Sequence, residues 1–203
     1  MPLPFVYAVF LLSGSAALVY QVVWQRSLFS IFGVNVEAVA VVVTAFMLGL
    51  GLGSLAGGAL SADPRRPALV WFGLIELAIG AFGLCSLPLF HAVGERTAGA
   101  GSLETFLLSF ALVLLPTVLM GSTLPLLVAH AVRANGNVGR SVGMLYFVNT
   151  MGSAAAAFAT AVWLLGALGQ AGTVRLAAAL NAVAGASVLA WSAVARRTAG
   201  GTR

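Results

Sequence analysis

One carboxylate stands in the middle of an apolar stretch, and it is the first residue in this sequence with chemistry to offer. Glu76 is flanked by Leu74-Ile75 and Leu77-Ala78-Ile79. It falls about 12 Å inside the third apolar run at the rise of an α-helix. An ionised group at that depth in lipid costs on the order of 3 kcal/mol, so it must face the interior of a bundle and either pair or protonate. A carboxyl held this way can act as a cation or proton site. Tyr146 and Asn149 in the fifth run, and Ser122 and Thr123 in the fourth, lie at comparable depth. Together with Glu76 they are expected to form one polar layer able to bind an amine. A second candidate group, Tyr20, Gln21 and Trp24 with Gln25 and Arg26, lies near the end of the first run. It reads either as further binding residues or as ordinary aromatic and basic anchors at a membrane boundary.

The elements that must position these residues are membrane helices. The 203-residue chain is 61% hydrophobic and 7% charged, whereas soluble domains carry about 25% charged residues. Six apolar runs are long enough to span a bilayer: 4–24, 38–60, 68–90, 106–129, 142–165 and 174–194. The sequence therefore predicts an all-α, six-helix transmembrane domain over residues 1–195, followed by a short polar tail, expected to be disordered, at 196–203. The N-terminus lacks a basic segment, so the first run is expected to remain as a membrane helix rather than a cleaved leader. His91–Leu103, rich in glycine, is the expected flexible loop, and Asn135-Gly136-Asn137 is a turn signal. Seven of the ten arginines fall on the side shared by both termini and loops two and four. The positive-inside rule then puts both termini in the cytoplasm of an inner membrane.

Small residues mark helix contacts in lipid. Gly49, Gly53 and Gly57 share one face of the second run, and Gly152 and Ala156 share a face of the fifth. Pro116 and Pro125 interrupt the fourth run, where each removes a backbone donor and frees a carbonyl. A faint internal repeat is also visible. Gly14-Ser15 resembles Gly121-Ser122, Gly53-Ser54 resembles Gly152-Ser153, and Glu76 matches Asn181 at a similar offset. Such a pattern suits two inverted three-helix units.

Several chemistries find no support. Cys85 is alone, so no disulfide or CxxC site is expected, and it reads as a small buried apolar residue. His91 and His130 have no metal-ligand spacing to other donors. The glycines of Gly49–Ser54 sit inside an apolar helix and are not a phosphate loop. The arginines do not interleave with aromatic residues as in a nucleic-acid surface. No cofactor, metal or nucleic-acid partner is expected.

Several stretches taken in order resemble the membrane part of fused major-facilitator/spermidine-synthase-like proteins. They are 12–26 (LSGSAALVYQVVWQR), 46–54 (FMLGLGLGS), 76–80 (ELAIG), 119–127 (LMGSTLPLL) and 139–152 (GRSVGMLYFVNTMG). The resemblance implies a bundle like half of a major-facilitator transporter joined to a cytosolic aminopropyltransferase-like domain. It also implies that Asp63, Arg65 and Arg66 form a gating loop between helices two and three, although Arg-Pro replaces the usual glycine there. Relatives often have an acid where this chain has Gln21. Nothing after Val194 matches the catalytic domain, so no catalytic residue is expected in this chain. The expected function is a membrane module for polyamine-related transport or for anchoring a synthase, with a structural subunit or part of a membrane-bound aminopropyltransferase as alternatives. Expected partners are the bilayer, a second copy or a second membrane or synthase-like subunit, and a polyamine ligand.

Overall fold

The computed structural model describes residues 1–200 and contains only helices among them. They are α1 (Leu3–Phe32), α2 (Asn35–Ala62), α3 (Ala68–Thr97), α4 (Ser102–Asn135), α5 (Val138–Ala159), a π-helical turn (Thr160–Leu164) and α6 (Leu165–Gly200). Five continuous helical stretches are long and apolar enough to cross a membrane; the last, Val138–Arg197, joins α5, the π turn and α6.

That last stretch is not straight. Gly169 has φ 64° and ψ −177°, a conformation open essentially only to glycine. Beyond it the chain turns back. The Thr173 hydroxyl donates to the Leu164 carbonyl at 3.2 Å, whereas nine residues of straight helix would separate them by about 13 Å. Before the turn α5 packs on α1, and beyond it α6 packs on α3.

Local chemistry sets the other ends. α4 stops at Gly136, which is left-handed at φ 70° and donates its N–H to the Val132 carbonyl at 2.8 Å. Asn137 then starts α5 by accepting the Arg140 N–H at 2.8 Å. Both fit the turn expected from the sequence. The helices overrun the apolar runs at several ends. The loop expected at His91–Leu103 shrinks to four residues between Thr97 and Ser102, and α6 continues through Arg196 and Arg197 to Gly200. Of the expected polar tail, residues 201–203 lie outside the described residues.

The bundle carries its apolar surface outward. Leu55, Trp163 and Phe158 are well exposed while Glu76, Asn181 and Thr117 are buried. This is the arrangement for a lipid solvent. Cys85 also faces outward rather than into the core, because Phe82, Gly83 and Ser86 take the inward positions on α3.

Helix pairing repeats. α1 packs on α5 as α4 packs on α2, α1 touches α6 as α4 touches α3, and α3 and α6 pack on each other between the two sets. Equivalent bonds accompany the equivalent contacts. The Ser153 hydroxyl of α5 donates to the Gly14 carbonyl of α1 at 3.0 Å, and the Ser54 hydroxyl of α2 donates to the Gly121 carbonyl of α4 at 3.3 Å. The second bond has a clear cause. Pro125 lacks the N–H that would have bonded Gly121, so that carbonyl needs a partner from outside its helix.

The glycine faces are spent inside the chain. A Cβ on Gly49 would strike Thr117, one on Gly53 the Val118 carbonyl oxygen, one on Gly57 the Ser122 backbone, and one on Gly152 the Leu11 carbonyl oxygen. Ala156 is half-buried against the same core. Backbones this close allow packing contacts over many atoms in a solvent that gives no hydrophobic drive between helices. Gly51 lies on the opposite side of α2, with nothing near where its Cβ would be. Gly53→Ala should therefore destabilise the bundle by about 1–3 kcal/mol through overpacking, while Gly51→Ala should be neutral or slightly stabilising. Unfolding of both variants in mixed detergent micelles checks the contrast; equal stabilities would show that α2 and α4 do not meet through this face.

Candidate functional site

α1 and α3 run alongside each other in fixed register, and the polar residues of the core lie along that seam. At the first level Ser13 of α1 donates its hydroxyl to Glu76 Oε1 at 2.5 Å. From the other side Asn181 of α6 donates its Nδ2 hydrogen to Glu76 Oε2 at 2.7 Å. Glu76 is 0% exposed, Asn181 1% and Ser13 7%. Both carboxylate oxygens are thus engaged, each by a donor from a different helix, and one side chain ties α1, α3 and α6 together. The site is built by close approach as well. Gly80, one turn from Glu76, leaves room for Asn181 and the Ala178 backbone, and Gly185 of α6 sits against Gly73 and Glu76.

Two turns further along the seam, Tyr20 lies against Gly83, whose missing side chain makes the space for the ring and its hydroxyl. Tyr20 stacks on Trp24 with ring centroids 5.1 Å apart, and Trp24 also packs against Phe46, Phe82 and Phe90. The Trp24 indole N–H donates to Ser86 Oγ at 3.0 Å, and the Ser86 hydroxyl donates to the Gly83 carbonyl at 2.7 Å. Phe90 then borders a cavity of about 590 Å³ at the end of the bundle, where Ser27, His91, Glu95, Thr105 and Gln170 contribute polar groups. The Ser27 hydroxyl donates to the Gln170 side-chain amide oxygen at 3.2 Å, and His91 faces Glu95 at 3.2 Å. An aromatic column therefore separates the cavity from Glu76.

Two buried polar atoms next to this seam have no hydrogen-bond partner: Tyr20 Oη and Asn181 Oδ1. The internal repeat accounts for the second. At the position equivalent to Ser13, α4 carries Met120, which has no hydroxyl to offer Asn181.

The structure rearranges the expected polar layer. Tyr146 is 64% exposed on the outer face of α5. Asn149 donates its Nδ2 hydrogen to the Phe10 carbonyl at 3.1 Å, in the α1–α5 contact. Ser122 and Thr123 are buried, but their hydroxyls return to the Leu119 and Met120 carbonyls of their own helix, both at 2.7 Å. None of the four bonds Glu76. The reason is rotational: Gly152 and Gly121 must face their partner helices, and that fixes the directions of their helix-mates. Tyr20 and Trp24 are not boundary anchors. α1 runs on to Phe32, so both lie inside the helix and are fully buried, while Gln21 is half-buried. Asp63, Arg65 and Arg66 form a local turn. Asp63 accepts the Arg65 N–H at 2.9 Å and lies 3.9 Å from the Arg66 guanidinium, all well exposed.

Ser13 escaped notice in the sequence because one serine in an apolar run is unremarkable in type. Asn181 carried a stronger signal as a lone amide in the sixth run. The missing information was the register that sets it opposite Glu76.

The chain is similar to polyamine aminopropyltransferase 2 of Streptomyces coelicolor, with 30% identity over 182 residues. The aligned region covers 87% of this chain but 32% of that protein, so the chain spans about a third of the relative's length. No family profile matches the chain, and no solved structure matches it.

The junction makes a quantitative demand. Removing the donor to a buried acceptor costs about 1–3 kcal/mol, because the Glu76 oxygen is left without a partner. Asn181→Ala should lose that much stability in detergent unfolding. In the Glu76→Ala background the same change should cost far less, giving a coupling above the roughly 0.5 kcal/mol scatter of independent sites. Additive losses would mean that the two residues do not act on each other.

Proposed function

We propose that this chain is the membrane-embedded module of a polyamine aminopropyltransferase-like system and that it anchors such an enzyme to the bacterial inner membrane. Residues 1–195 form one domain in this reading. It crosses the bilayer six times, because the turn at Gly169 separates α5 from α6, as two inverted three-helix units of the kind found in half of a major-facilitator transporter. Both termini face the cytoplasm, since Arg65, Arg66, Arg133, Arg140, Arg196 and Arg197 gather at one end.

The observation that carries anchoring over transport is the sealed state of Glu76. A carboxylate that receives an amine during transport needs water access and room for the amine beside its oxygens. Here it is fully buried, and both oxygens already accept from Ser13 and Asn181. A bonded polar junction of this kind serves to hold three helices in register. The similarity to the Streptomyces protein supplies the polyamine connection.

A second reading is passage of a polyamine cation, and one feature favours it. The cavity beside Glu95 leads to Phe90, Trp24 and Tyr20, and aromatic faces attract cations. Any contact with a second copy or another subunit falls on faces other than those of Gly49, Gly53, Gly57 and Gly152, which the bundle itself occupies.

A chimera tests anchoring. The region of the Streptomyces protein that aligns with this chain is replaced by residues 1–200, and aminopropyltransferase activity is followed through cell fractionation. Activity should sediment with membranes, and deletion of the same region should release it or abolish it. Soluble activity from the chimera would defeat the proposal. Separately, the purified chain in proteoliposomes should show no spermidine counterflow above empty liposomes; flux lost in Glu76→Gln would establish the second reading instead.

A further inference from the structure

A cavity of about 270 Å³ opens at the arginine-rich end of the bundle, away from the Glu76 seam. Three arginines from three separate elements border it: Arg66 from the α2–α3 turn, Arg133 from the last turns of α4, and Arg196 from α6. The rest of its wall is mixed: Leu69, Val70 and Trp191 give it apolar surface, while Ser192 and His130, which bonds the Met1 carbonyl at 3.3 Å, give it polar groups.

The charge at this cavity is poorly compensated. Of the chain's five acids, Asp63 alone lies at this end. It stands 3.9 Å from the Arg66 guanidinium, with both groups about half exposed, a separation and exposure at which an ion pair is worth little. Arg133 is held in place by donating from Nη2 to the Ser61 carbonyl at 2.9 Å, and it has no ion-pair partner among the described residues. The Arg196 side chain has no hydrogen-bond or ion-pair partner among the described residues. Three arginines around one concavity raise its positive potential, so the arrangement favours an anion that can accept from planar donors.

Position narrows the class of anion. The cavity lies where the apolar spans give way to polar turns, at the depth of lipid headgroups. Trp191 is half in this wall and stacks on Phe5 with centroids 6.3 Å apart, as indole rings do at membrane boundaries. An occupant must therefore present a phosphate to the arginines and hydrocarbon to Leu69, Val70 and Trp191. We propose that this cavity binds the phosphate headgroup of an anionic phospholipid, which holds the α2–α3 turn, α4 and α6 together at this end. Basic pockets between membrane helices suit such headgroups in general. The site is independent of any polyamine, since a polycation is repelled from it.

Native mass spectrometry of the whole chain released from nanodiscs gives the test. Discs of phosphatidylglycerol and of phosphatidylcholine are compared, and inorganic phosphate is the soluble competitor. The wild type should retain phosphatidylglycerol in preference to phosphatidylcholine, and phosphate should not displace it. Arg196→Gln, at a residue that makes no structural bond, should weaken retention by about fivefold, the worth of one arginine near an anionic surface. Combining it with Arg66→Gln should weaken retention further. Equal retention of the two lipids, or unchanged retention in both variants, would overturn the proposal. Displacement by inorganic phosphate would overturn the lipid assignment and identify the cavity as a site for a soluble anion.

Discussion

A carboxylate without water has to find its donors within the protein, and Glu76 finds them on two other helices. The interior of a membrane bundle has a low dielectric, where an unmatched acceptor is costly and a matched one is held firmly. Ser13 and Asn181 meet that need from α1 and α6, so the position of each helix depends on the other two. Van der Waals packing alone would tolerate sliding of one apolar surface over another. The two bonds to one carboxylate do not, because each has a length and a direction. Tyr20 over Gly83 and Trp24 on Ser86 extend the same register along the α1–α3 seam.

The rest of the bundle follows from backbone proximity. Glycines at 14, 53, 121 and 152 bring α1 to α5 and α2 to α4, and serines beside two of them bond the exposed carbonyls across the contact. The two halves use the same device, which accounts for their similar pairing. They part company at the centre. One half carries Ser13 and Glu76, and the other carries Met120 and Asn181 at the corresponding places. A symmetrical scaffold thus holds an asymmetrical polar centre, in which both oxygens of Glu76 have a donor and one acceptor atom of Asn181 has none.

The two ends of the molecule differ in charge as well as in shape. One end gathers arginines from the α2–α3 turn, α4 and α6 around a small cavity, and the other has Glu95 beside a larger one. Between them lie the aromatic column and the sealed junction. A bundle so closed through its middle is suited to holding position in a bilayer, and its chemistry for other molecules is concentrated at its ends.

The sequence by itself determined the solvent and the elements. A 61% hydrophobic chain with 7% charge is suited to a lipid solvent, and its apolar runs became helices long and apolar enough to cross a membrane, the form in which the backbone satisfies itself without water. It also marked Glu76 as buried, Gly136 as a turn, and the glycine faces as contacts, since each of these depends only on residue type and neighbours along the chain. Partners across space were decided by the tertiary structure. Asn149, Tyr146, Ser122 and Thr123 matched Glu76 in depth, but depth along a helix leaves its rotation open. That rotation was set by glycines pressed against the backbones of α1 and α2, which turned these four residues elsewhere and brought Ser13 and Asn181 to the carboxylate. The same holds for Tyr20 and Trp24. Their types suit a membrane boundary, and only the extra length of α1 and the hollow left by Gly83 placed them in the core.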